Sequence, residues 1–322
     1  MSHIETIWAA KMAKPHPQTK AIAYNRERWT ATDNDFIDID FLHHELQPDA
    51  QRPLWVMFHG LEGSSQSHYA RAFARYAQEN NLNFCVPHFR GCSGELNLAP
   101  RAYHSGDWQE IDWILRRIKA EHVGDVYAVG VSLGGNALMR WAGEMGSAAS
   151  EVLKGAVSIC SPLDLYASGI HIGRGLNRHI YTPMFLRTMK PRALQKLAQF
   201  PSLFDSSKML ASRDLYEFDN VFTAPLHGFK NTEDYWTRAS AKPHLANIQI
   251  PALAINALND PFIPQDSLPQ VGKVGNHVKL WQPKHGGHVG FATDCIKNFP
   301  GHLQTLPRVV GEFFHAGAVP RG

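Results

Sequence analysis

The amino-acid sequence predicts an α/β fold in which helices cover both faces of a mostly parallel, doubly wound sheet. Two observations predict it: short apolar runs rich in β-branched and aromatic residues recur along the chain, and helical patterns separate them. Continuous apolar runs of this kind are typical of strands buried on both faces. The predicted parallel strands are residues 54–58, 83–87, 126–131, 156–160, 252–256 and 277–281. The predicted helices are residues 67–79, 108–122 and 136–145, with a last one through 309–314.

Two further regions complete this organisation. Residues 26–32 and 36–42 flank the turn signal Asp33-Asn34-Asp35, and the second run alternates apolar and acidic residues, which predicts a half-exposed antiparallel hairpin. Residues from about 163 to 245 are helical in pattern, contain several prolines and have no clear strand. Because α/β sheets bind ligands at the carboxyl ends of their strands, we expect this insertion to cover that end. The sequence therefore predicts a single domain over residues 1–322 with a helical cap insertion at about 163–245.

Composition restricts the class of protein. Hydrophobic residues make up 44% and charged residues 19% of the 322, which is typical of a soluble globular protein. The net charge of +3 is too small to indicate a nucleic-acid partner. We see no signal peptide and no apolar run as long as a membrane span. Cys85, Cys92, Cys160 and Cys295 lack metal-finger spacing, so we expect a cytoplasmic protein with reduced thiols and neither a metal nor another cofactor.

The stretch Gly130-Val131-Ser132-Leu133-Gly134 follows a predicted strand and precedes a predicted helix. A sharp strand-to-helix turn puts the central residue in a strained conformation and brings neighbouring backbone close to the positions two residues away. Glycine at those positions removes the collision. The pattern is that of a nucleophile elbow, which exposes a serine hydroxyl at the carboxyl end of a strand. Ser132 is therefore the candidate nucleophile.

A serine nucleophile needs a base, and the base needs an orienting acid. Asp260 and His288 come after the fifth and sixth predicted parallel strands, so both are expected at the edge of the sheet that presents Ser132. The chain order serine, acid, histidine is the one found in hydrolases with a nucleophile elbow. His285 and Asp266 remain reserve candidates for the base and the acid. His285 and His288 as metal ligands are disfavoured because no third ligand lies at a recognisable spacing.

Acyl transfer also needs hydrogen-bond donors for the negative charge that develops on the carbonyl oxygen. In the nucleophile-elbow arrangement one donor is the backbone N–H of the residue after the serine, here Leu133. The second comes from the loop after the third strand, here residues 59–65, where Gly60 and Gly63 permit a tight turn. We expect the backbone N–H groups of Leu61 and Leu133 to form the oxyanion hole.

Several longer motifs carry a resemblance to a known family. They are Phe58-His59-Gly60-Leu61-Glu62-Gly63, His88-Phe89-Arg90-Gly91-Cys92-Ser93-Gly94-Glu95, Tyr103-His104-Ser105-Gly106, Val131-Ser132-Leu133-Gly134-Gly135-Asn136 and His285-Gly286-Gly287-His288-Val289-Gly290-Phe291. Together they resemble the YheT-like branch of the α/β-hydrolases, over about residues 26–314. The resemblance implies the α/β-hydrolase fold and puts Ser132, Asp260 and His288 at the catalytic triad positions. The family includes carboxylesterase-like and lipid-acting members.

These observations predict a serine hydrolase that cleaves small-molecule carboxylic esters, with apolar acyl or lipid-like groups, through an acyl-enzyme. Two alternatives stay open. An acyltransferase or thioesterase could use the same three side chains with a different acceptor or leaving group. A binding module that keeps the fold as a scaffold is the third reading, although the intact serine, acid and histidine argue against it.

The expected cap contains a basic stretch between His171 and Lys208. Its only acid is Asp205, and its apolar residues are interleaved with seven cations, namely Arg174, Arg178, Arg187, Lys190, Arg192, Lys196 and Lys208. We expect one helix to start at Thr182-Pro183 and Pro191 to divide the run into two helices. Two interpretations stay open: the apolar face packs on the sheet beneath a solvated basic face, or the stretch contacts an anionic lipid surface. If residues 184–200 line the entrance, the substrates should be apolar.

Overall fold

An eight-stranded sheet forms the centre of the molecule, in the order β1-β2-β4-β3-β5-β6-β7-β8. The computed structural model describes His3, Glu5, Thr6 and residues 22–43, 49–291 and 303–320. Strands β3 to β8 pair in parallel, whereas β2 is antiparallel to both β1 and β4. The strands are β1 (Tyr24–Thr30), β2 (Phe36–Leu42), β3 (Leu54–Phe58), β4 (Asn83–Pro87), β5 (Val126–Val131), β6 (Gly155–Ile159), β7 (Ala252–Ile255) and β8 (Val278–Trp281).

Four helices pack on the two faces of this sheet. They are α1 (His68–Glu79), α2 (Trp108–Glu121), α3 (Leu133–Met145) and α10 (Thr305–Ala316). Successive side chains of β3 point to opposite faces of the sheet and so belong to two different hydrophobic cores. Val56 packs on the face that α2 and α3 cover, and Trp55 packs on the face that α1 and α10 cover. Both faces of the parallel strands are therefore buried, which is why their sequences are continuously apolar. The predicted fold class is confirmed.

The amino-terminal hairpin is present, but it is more buried than its alternating pattern predicts. Strand β2 lies inside the sheet between β1 and β4, and its acidic residues Asp38 and Asp40 are at most 3% exposed. Each carboxylate accepts two hydrogen bonds from an arginine of β1, Arg28 for Asp38 and Arg26 for Asp40. Bidentate arginine pairing makes the burial of these charges tolerable, so the expectation of a half-exposed hairpin is wrong for β2.

The connection between β6 and β7 consists of helices, and we call residues 165–239 the helical segment. Its helices are α4 (Leu165–Ile172), α5 (Gly175–Gln199), α6 (Ser206–Ala211), α7 (Leu215–Val221), α8 (Thr223–Leu226) and α9 (Thr232–Ala239). Helix α5 begins at Gly175 and runs through both Pro183 and Pro191, so the expected helix start at Thr182-Pro183 and the expected division at Pro191 are both wrong. Each proline removes one backbone donor, and the burial of Leu186 and Ala193 on one side of α5 keeps the helix continuous. Among the described residues, none of the helices has the length and hydrophobicity needed to span a bilayer.

Candidate active site

Ser132 lies at the turn between β5 and α3 in a left-handed conformation, with φ 52° and ψ −118°. The flanking glycines allow this turn because backbone atoms lie where their side chains would be. A Cβ on Gly130 would lie 2.4 Å from the Cα of Gly135, and one on Gly134 would lie 2.4 Å from the carbonyl oxygen of Phe58. Real Cβ atoms do not approach backbone so closely. The local sequence therefore fixes the strained turn that exposes the Ser132 hydroxyl.

His288 and Asp260 meet Ser132 at the carboxyl end of the sheet. The Ser132 Oγ lies 3.1 Å from His288 Nε2, and His288 Nδ1 lies 2.9 Å from Asp260 Oδ2. In the tautomer that satisfies both contacts, Nδ1–H donates to the carboxylate and Nε2 accepts the serine proton. The Asp260 side chain is fully buried, and its other oxygen accepts the backbone N–H of Phe262 at 2.8 Å. The three predicted residues thus form one hydrogen-bonded chain.

The loop after β3 lies directly beside Ser132, since a Cβ on Gly60 would be 3.2 Å from the Ser132 Cβ. In this loop the backbone N–H of Gly60 donates to the Tyr69 hydroxyl, and that of Glu62 donates to the Tyr103 hydroxyl. Within the described residues, the backbone N–H groups of Leu61 and Leu133 have no protein acceptor. Both residues line the same cavity as Ser132.

The reserve candidates lie apart from this chain. The His285 side chain is 69% exposed, and its nearest acidic partner is Glu5, at 4.0 Å. Asp266 is exposed in a short 3-10 helix after β7. Neither residue lines the cavity that contains Ser132. Within the described residues, the structure therefore brings His288 and Asp260 to the serine and leaves the two alternatives outside.

Two groups of positioning contacts were not predicted from the sequence. The first surrounds Glu62, which has a left-handed φ of 57° next to Leu61. The Tyr103 hydroxyl donates to its carboxylate at 3.0 Å, and Arg192 of α5 forms an ion pair with it at 3.0 Å. Burial raises the pKa of Tyr103 well above its usual value of 10, so this hydroxyl stays protonated. These contacts hold the loop that carries Leu61.

The second group comes from the amino-terminal residues. Glu5 accepts hydrogen bonds from the Asn259 side chain at 2.7 Å and from the backbone N–H of Gly286 at 3.2 Å. The Thr6 hydroxyl accepts the backbone N–H of His288 at 2.9 Å. The amino terminus thereby links the loop of the acid to the loop of the histidine. The partners are more than 250 positions apart in the sequence, so no local pattern indicates the contact.

A cavity of about 160 Å³ is lined by Ser132, Leu133 and His288 on the side of the sheet. Its other wall comes largely from the helical segment and is mostly apolar. The apolar side chains there include Leu165, Ile172, Phe185, Met189, Leu215, Phe218 and Phe222. Met184, which was expected at the entrance, is 50% exposed and does not line the cavity.

Three cations of the basic stretch make contacts within the protein rather than facing solvent freely. Lys196 is 2% exposed, and its ammonium donates to the carbonyl oxygens of Asn97 and Ala99. Burial lowers the pKa of Lys196 to about 8. Arg192 donates to the carbonyl oxygen of Gly91, and Lys190 donates to two carbonyl oxygens near the end of α6. The interpretation of the whole stretch as one solvated basic face is therefore wrong for these three residues.

Among the described residues, Cys160, Asp260 and His288 are the one group whose donor atoms are close enough to hold a metal ion, all within 4.8 Å of one another. A metal ion there would have to displace the proton of the Cys160 thiol, whose pKa burial raises well above its usual value of 9. A metal ion between Asp260 and His288 would also replace the hydrogen bond that joins them. Cys85, Cys92 and Cys160 are buried free thiols, and Cys295 lies outside the described residues.

The sequence model of the alpha/beta hydrolase fold matches residues 53–294. The chain belongs to the α/β-hydrolase family. This α/β-hydrolase is 36% identical to YheT of Escherichia coli (strain K12), over 82% of its own chain and 78% of YheT, which puts it in the YheT-like branch. It is 26% identical to Phospholipase ABHD3 of Mus musculus, over 92% of its chain and 72% of that protein. It is 28% identical to a monoacylglycerol lipase of Saccharomyces cerevisiae, over 78% of its chain and 57% of that enzyme.

Solved structures show the same fold in esterases. The esterase Pf2001 of Pyrococcus furiosus superposes on this α/β-hydrolase with a TM-score of 0.54 and 16% identity, covering 94% of this chain and 96% of the esterase. Est1E of Butyrivibrio proteoclasticus, solved with ferulic acid, has a TM-score of 0.55 and 16% identity, and the superposition covers 89% of this chain and 97% of Est1E. At these identities the similarity concerns the fold.

Proposed function

We propose that this carboxylic ester hydrolase cleaves its substrates through an acyl-enzyme on Ser132. The observation that carries the proposal is the hydrogen-bonded chain from Ser132 through His288 to Asp260 at the wall of an apolar cavity. His288 removes the Ser132 proton as Oγ attacks the ester carbonyl, and then gives that proton to the leaving alcohol. A water molecule, deprotonated by the same imidazole, releases the acid and restores the serine.

The negative charge of the tetrahedral intermediate needs donors that are already in place. The backbone N–H groups of Leu61 and Leu133 fit this role because both residues line the cavity that contains Ser132, and neither N–H has an acceptor among the described residues. Donors of this type contribute about 3–4 kcal/mol each to lowering the barrier. They need no rearrangement during the reaction, since the Glu62 contacts already fix one loop and the α3 turn fixes the other.

The side chains that line the cavity indicate the chemical class of the substrate. Phe185, Met189, Phe218 and Phe222 suit an apolar acyl or lipid-like group. Each buried methylene contributes up to about 0.8 kcal/mol, so kcat/KM should rise nearly fourfold per methylene until the cavity is full. A series of p-nitrophenyl esters with increasing acyl length measures this slope. A flat profile would remove the apolar acyl group from the proposal and leave the serine chemistry.

Fluorophosphonate labelling tests the nucleophile itself. We expect one labelled residue, Ser132, and loss of labelling and turnover in Ser132→Ala. Product analysis with added alcohol or thiol acceptors distinguishes hydrolysis from acyl transfer, because only a transferase forms a new ester or thioester in preference to the free acid. A labelled residue other than Ser132 would contradict the mechanism.

We further propose that residues 1–322 form one domain, in which residues 163–245 act as a cap over the catalytic residues. The shared cavity supports this arrangement, since α4, α5 and α7 contribute side chains to the same wall as the turn at Ser132. A cytoplasmic location is consistent with the free thiols of the described cysteines. Fractionation of cells that express the full chain tests the location.

The outer face of α5 supports a contact with anionic lipid. Leu176, Ile180 and Met184 follow one another at helical spacing and are between 37% and 68% exposed. Arg187 is exposed on the same face, one turn further along α5. An exposed apolar stripe with a neighbouring cation is typical of a helix that lies on a membrane surface.

Co-sedimentation with vesicles tests this contact. The protein should bind vesicles with anionic lipid at low salt and release them as salt screens the charge. Arg187→Gln should weaken binding by about fivefold, since a surface cation contributes about 1 kcal/mol. The matched control Arg308→Gln removes an exposed cation from α10 and should have no effect. If the protein does not co-sediment with anionic vesicles at low salt, the exposed face of α5 is a solvated surface and does not contact lipid.

A further inference from the structure

The apolar wall of the cavity contains two buried polar side chains that the proposed mechanism does not use. Asp219 of α7 is 8% exposed, Ser168 of α4 is 2% exposed, and both line the cavity that also contains Ser132. Buried polar groups are costly unless they are hydrogen-bonded, so each requires an explanation.

Asp219 is a carboxylate without a cation. Its Oδ1 accepts the Thr223 hydroxyl at 2.6 Å and its Oδ2 accepts the Trp236 indole N–H at 2.8 Å. Among the described residues no lysine, arginine or histidine forms an ion pair with it. Burial raises the pKa of Asp219 to about 6. Because each carboxylate oxygen can accept a second hydrogen bond, Asp219 lines the cavity with unused acceptor capacity.

Ser168, by contrast, has a hydroxyl that is free to donate a hydrogen bond, again within the described residues. Its buried hydroxyl has no hydrogen-bond partner within the described residues. The next residue, Gly169, packs so closely on Trp236 that a Cβ there would lie 2.5 Å from the indole ring. Trp236 is the residue that donates to Asp219, so helix α4, through Gly169, and the Asp219 carboxylate contact the same aromatic side chain.

We propose that Asp219 and Ser168 form a polar subsite that binds a hydroxyl group of the ester substrate, away from the ester carbonyl. The carboxylate can only accept, so the ligand must donate to it. A hydroxyl suits both groups, since it can donate to the Asp219 carboxylate and can accept the Ser168 hydroxyl proton. A quaternary ammonium has no acceptor and would leave the Ser168 hydroxyl unpaired, and a methyl group would leave both groups unpaired. This inference rests on the proposed function and specifies its substrate: an apolar ester that carries a hydroxyl.

Matched ester pairs test the subsite. Each pair differs only by a hydroxyl in place of a methyl group, set at increasing distances from the carbonyl on the acyl or the alcohol side. Wild-type enzyme should prefer the hydroxylated member of at least one pair by about tenfold or more in kcat/KM, because sites with unpaired polar groups reject the analogue that cannot bond to them.

Two variants and a matched control assign that preference to residues. Ser168→Ala removes a hydroxyl that has no partner in the part of the chain that the structure describes, so the fold should be unaffected, and Asp219→Asn keeps an acceptor for Trp236. Each should reduce the hydroxyl preference to within about threefold, by lowering kcat/KM for the hydroxylated ester, by raising it for the methyl analogue, or both, while fluorophosphonate still labels Ser132. Ser158→Ala removes another buried, unpartnered hydroxyl, in β6 and outside the cavity, and should leave the preference intact.

Three results would overturn the subsite. These are no hydroxyl preference in any pair, a preference that survives both variants, and stronger hydrolysis of a quaternary-ammonium analogue than of the hydroxylated ester. In all three cases fluorophosphonate still labels Ser132, so the proposed hydrolysis stands. Absence of Ser132 labelling in the wild-type protein would overturn the hydrolysis and the subsite together.

Discussion

Substitution of Asp260 by asparagine tests the proposed orienting role of this residue with almost no change in shape. The backbone N–H of Phe262 donates to Asp260 Oδ1 at 2.8 Å, and this donor will hold the amide oxygen of the asparagine in the same place. The amide nitrogen then takes the position of Oδ2, which lies 2.9 Å from His288 Nδ1. An N–H that donates to Nδ1 forces the ring proton onto Nε2. The imidazole therefore presents a proton to Ser132 where it needs a lone pair.

The expected loss has two parts. The charge-assisted hydrogen bond between Asp260 and His288 disappears, which costs about 1.5–3 kcal/mol. Reaching the productive tautomer also breaks the new amide hydrogen bond, at about 1–1.5 kcal/mol. The sum of about 2.5–4.5 kcal/mol corresponds to a loss of roughly a hundredfold to two-thousandfold in kcat/KM.

The assay is kcat/KM for a short soluble ester together with the rate of fluorophosphonate labelling, since both need an activated Ser132. Thermal unfolding of Asp260→Asn verifies that the variant is folded. Asp266→Asn is the matched control, because Asp266 is the exposed carboxylate that the sequence offers as an alternative acid. A loss of less than tenfold in Asp260→Asn, or a larger loss in the control, would refute the reasoning.

Four further outcomes are expected. Ser132→Ala should lose turnover and labelling while its melting temperature stays within a few degrees of wild type, because the removed hydroxyl contributes little packing. His288→Ala should cost at least about a hundredfold in kcat/KM and His285→Ala less than about threefold, and the reverse order would move the base to His285. Gly134→Ala should lower the free energy of unfolding by about 1–3 kcal/mol in urea denaturation, since its Cβ would lie 2.4 Å from a carbonyl oxygen. Burial raises the pKa of Asp219 from 3.8 to about 6, so between these pH values the folded protein holds a proton that the unfolded chain has lost. The free energy of unfolding of the wild-type protein should therefore decrease, relative to that of Asp219→Asn, as the pH rises from about 4 to about 6.

The sequence predicts the sheet and the ends of its strands well because both follow from local physics. A strand buried on both faces must be apolar at every position, so its limits are visible as the limits of an apolar run. Parallel strands end at one edge, and residues that follow them are brought together whatever their distance in the sequence. Ser132, Asp260 and His288 each come within seven residues of the end of such a run, which is how three residues spread over more than 150 positions could be predicted to meet.

Contacts that depend on side chains from distant segments have no such signal. The acidic residues of β2 alternate with apolar ones, which is the pattern of a strand with one face exposed to solvent. They are buried because the arginines of β1 form ion pairs with them, and the sequence of β2 alone does not indicate this pairing. Helix α5 contains prolines that usually end a helix, and tertiary packing overrides this preference. Glu5 contacts loops that follow β7 and β8 through its carboxylate, and a lone glutamate near an amino terminus has no pattern that indicates this.

Helix α5 connects the wall of the cavity to the loop that carries the proposed oxyanion donor. Arg192 pairs with Glu62 beside Leu61, and one turn later Lys196 donates to the carbonyl oxygens of Asn97 and Ala99. The chain after Ala99 leads to Tyr103, whose hydroxyl bonds both the backbone N–H and the carboxylate of Glu62. One side of α5 therefore holds the Leu61 loop directly through Arg192 and indirectly through the segment that positions Tyr103. Since Phe185 and Met189 of the same helix line the cavity, we expect the fit of the substrate and the geometry of the proposed oxyanion hole to depend on one helix.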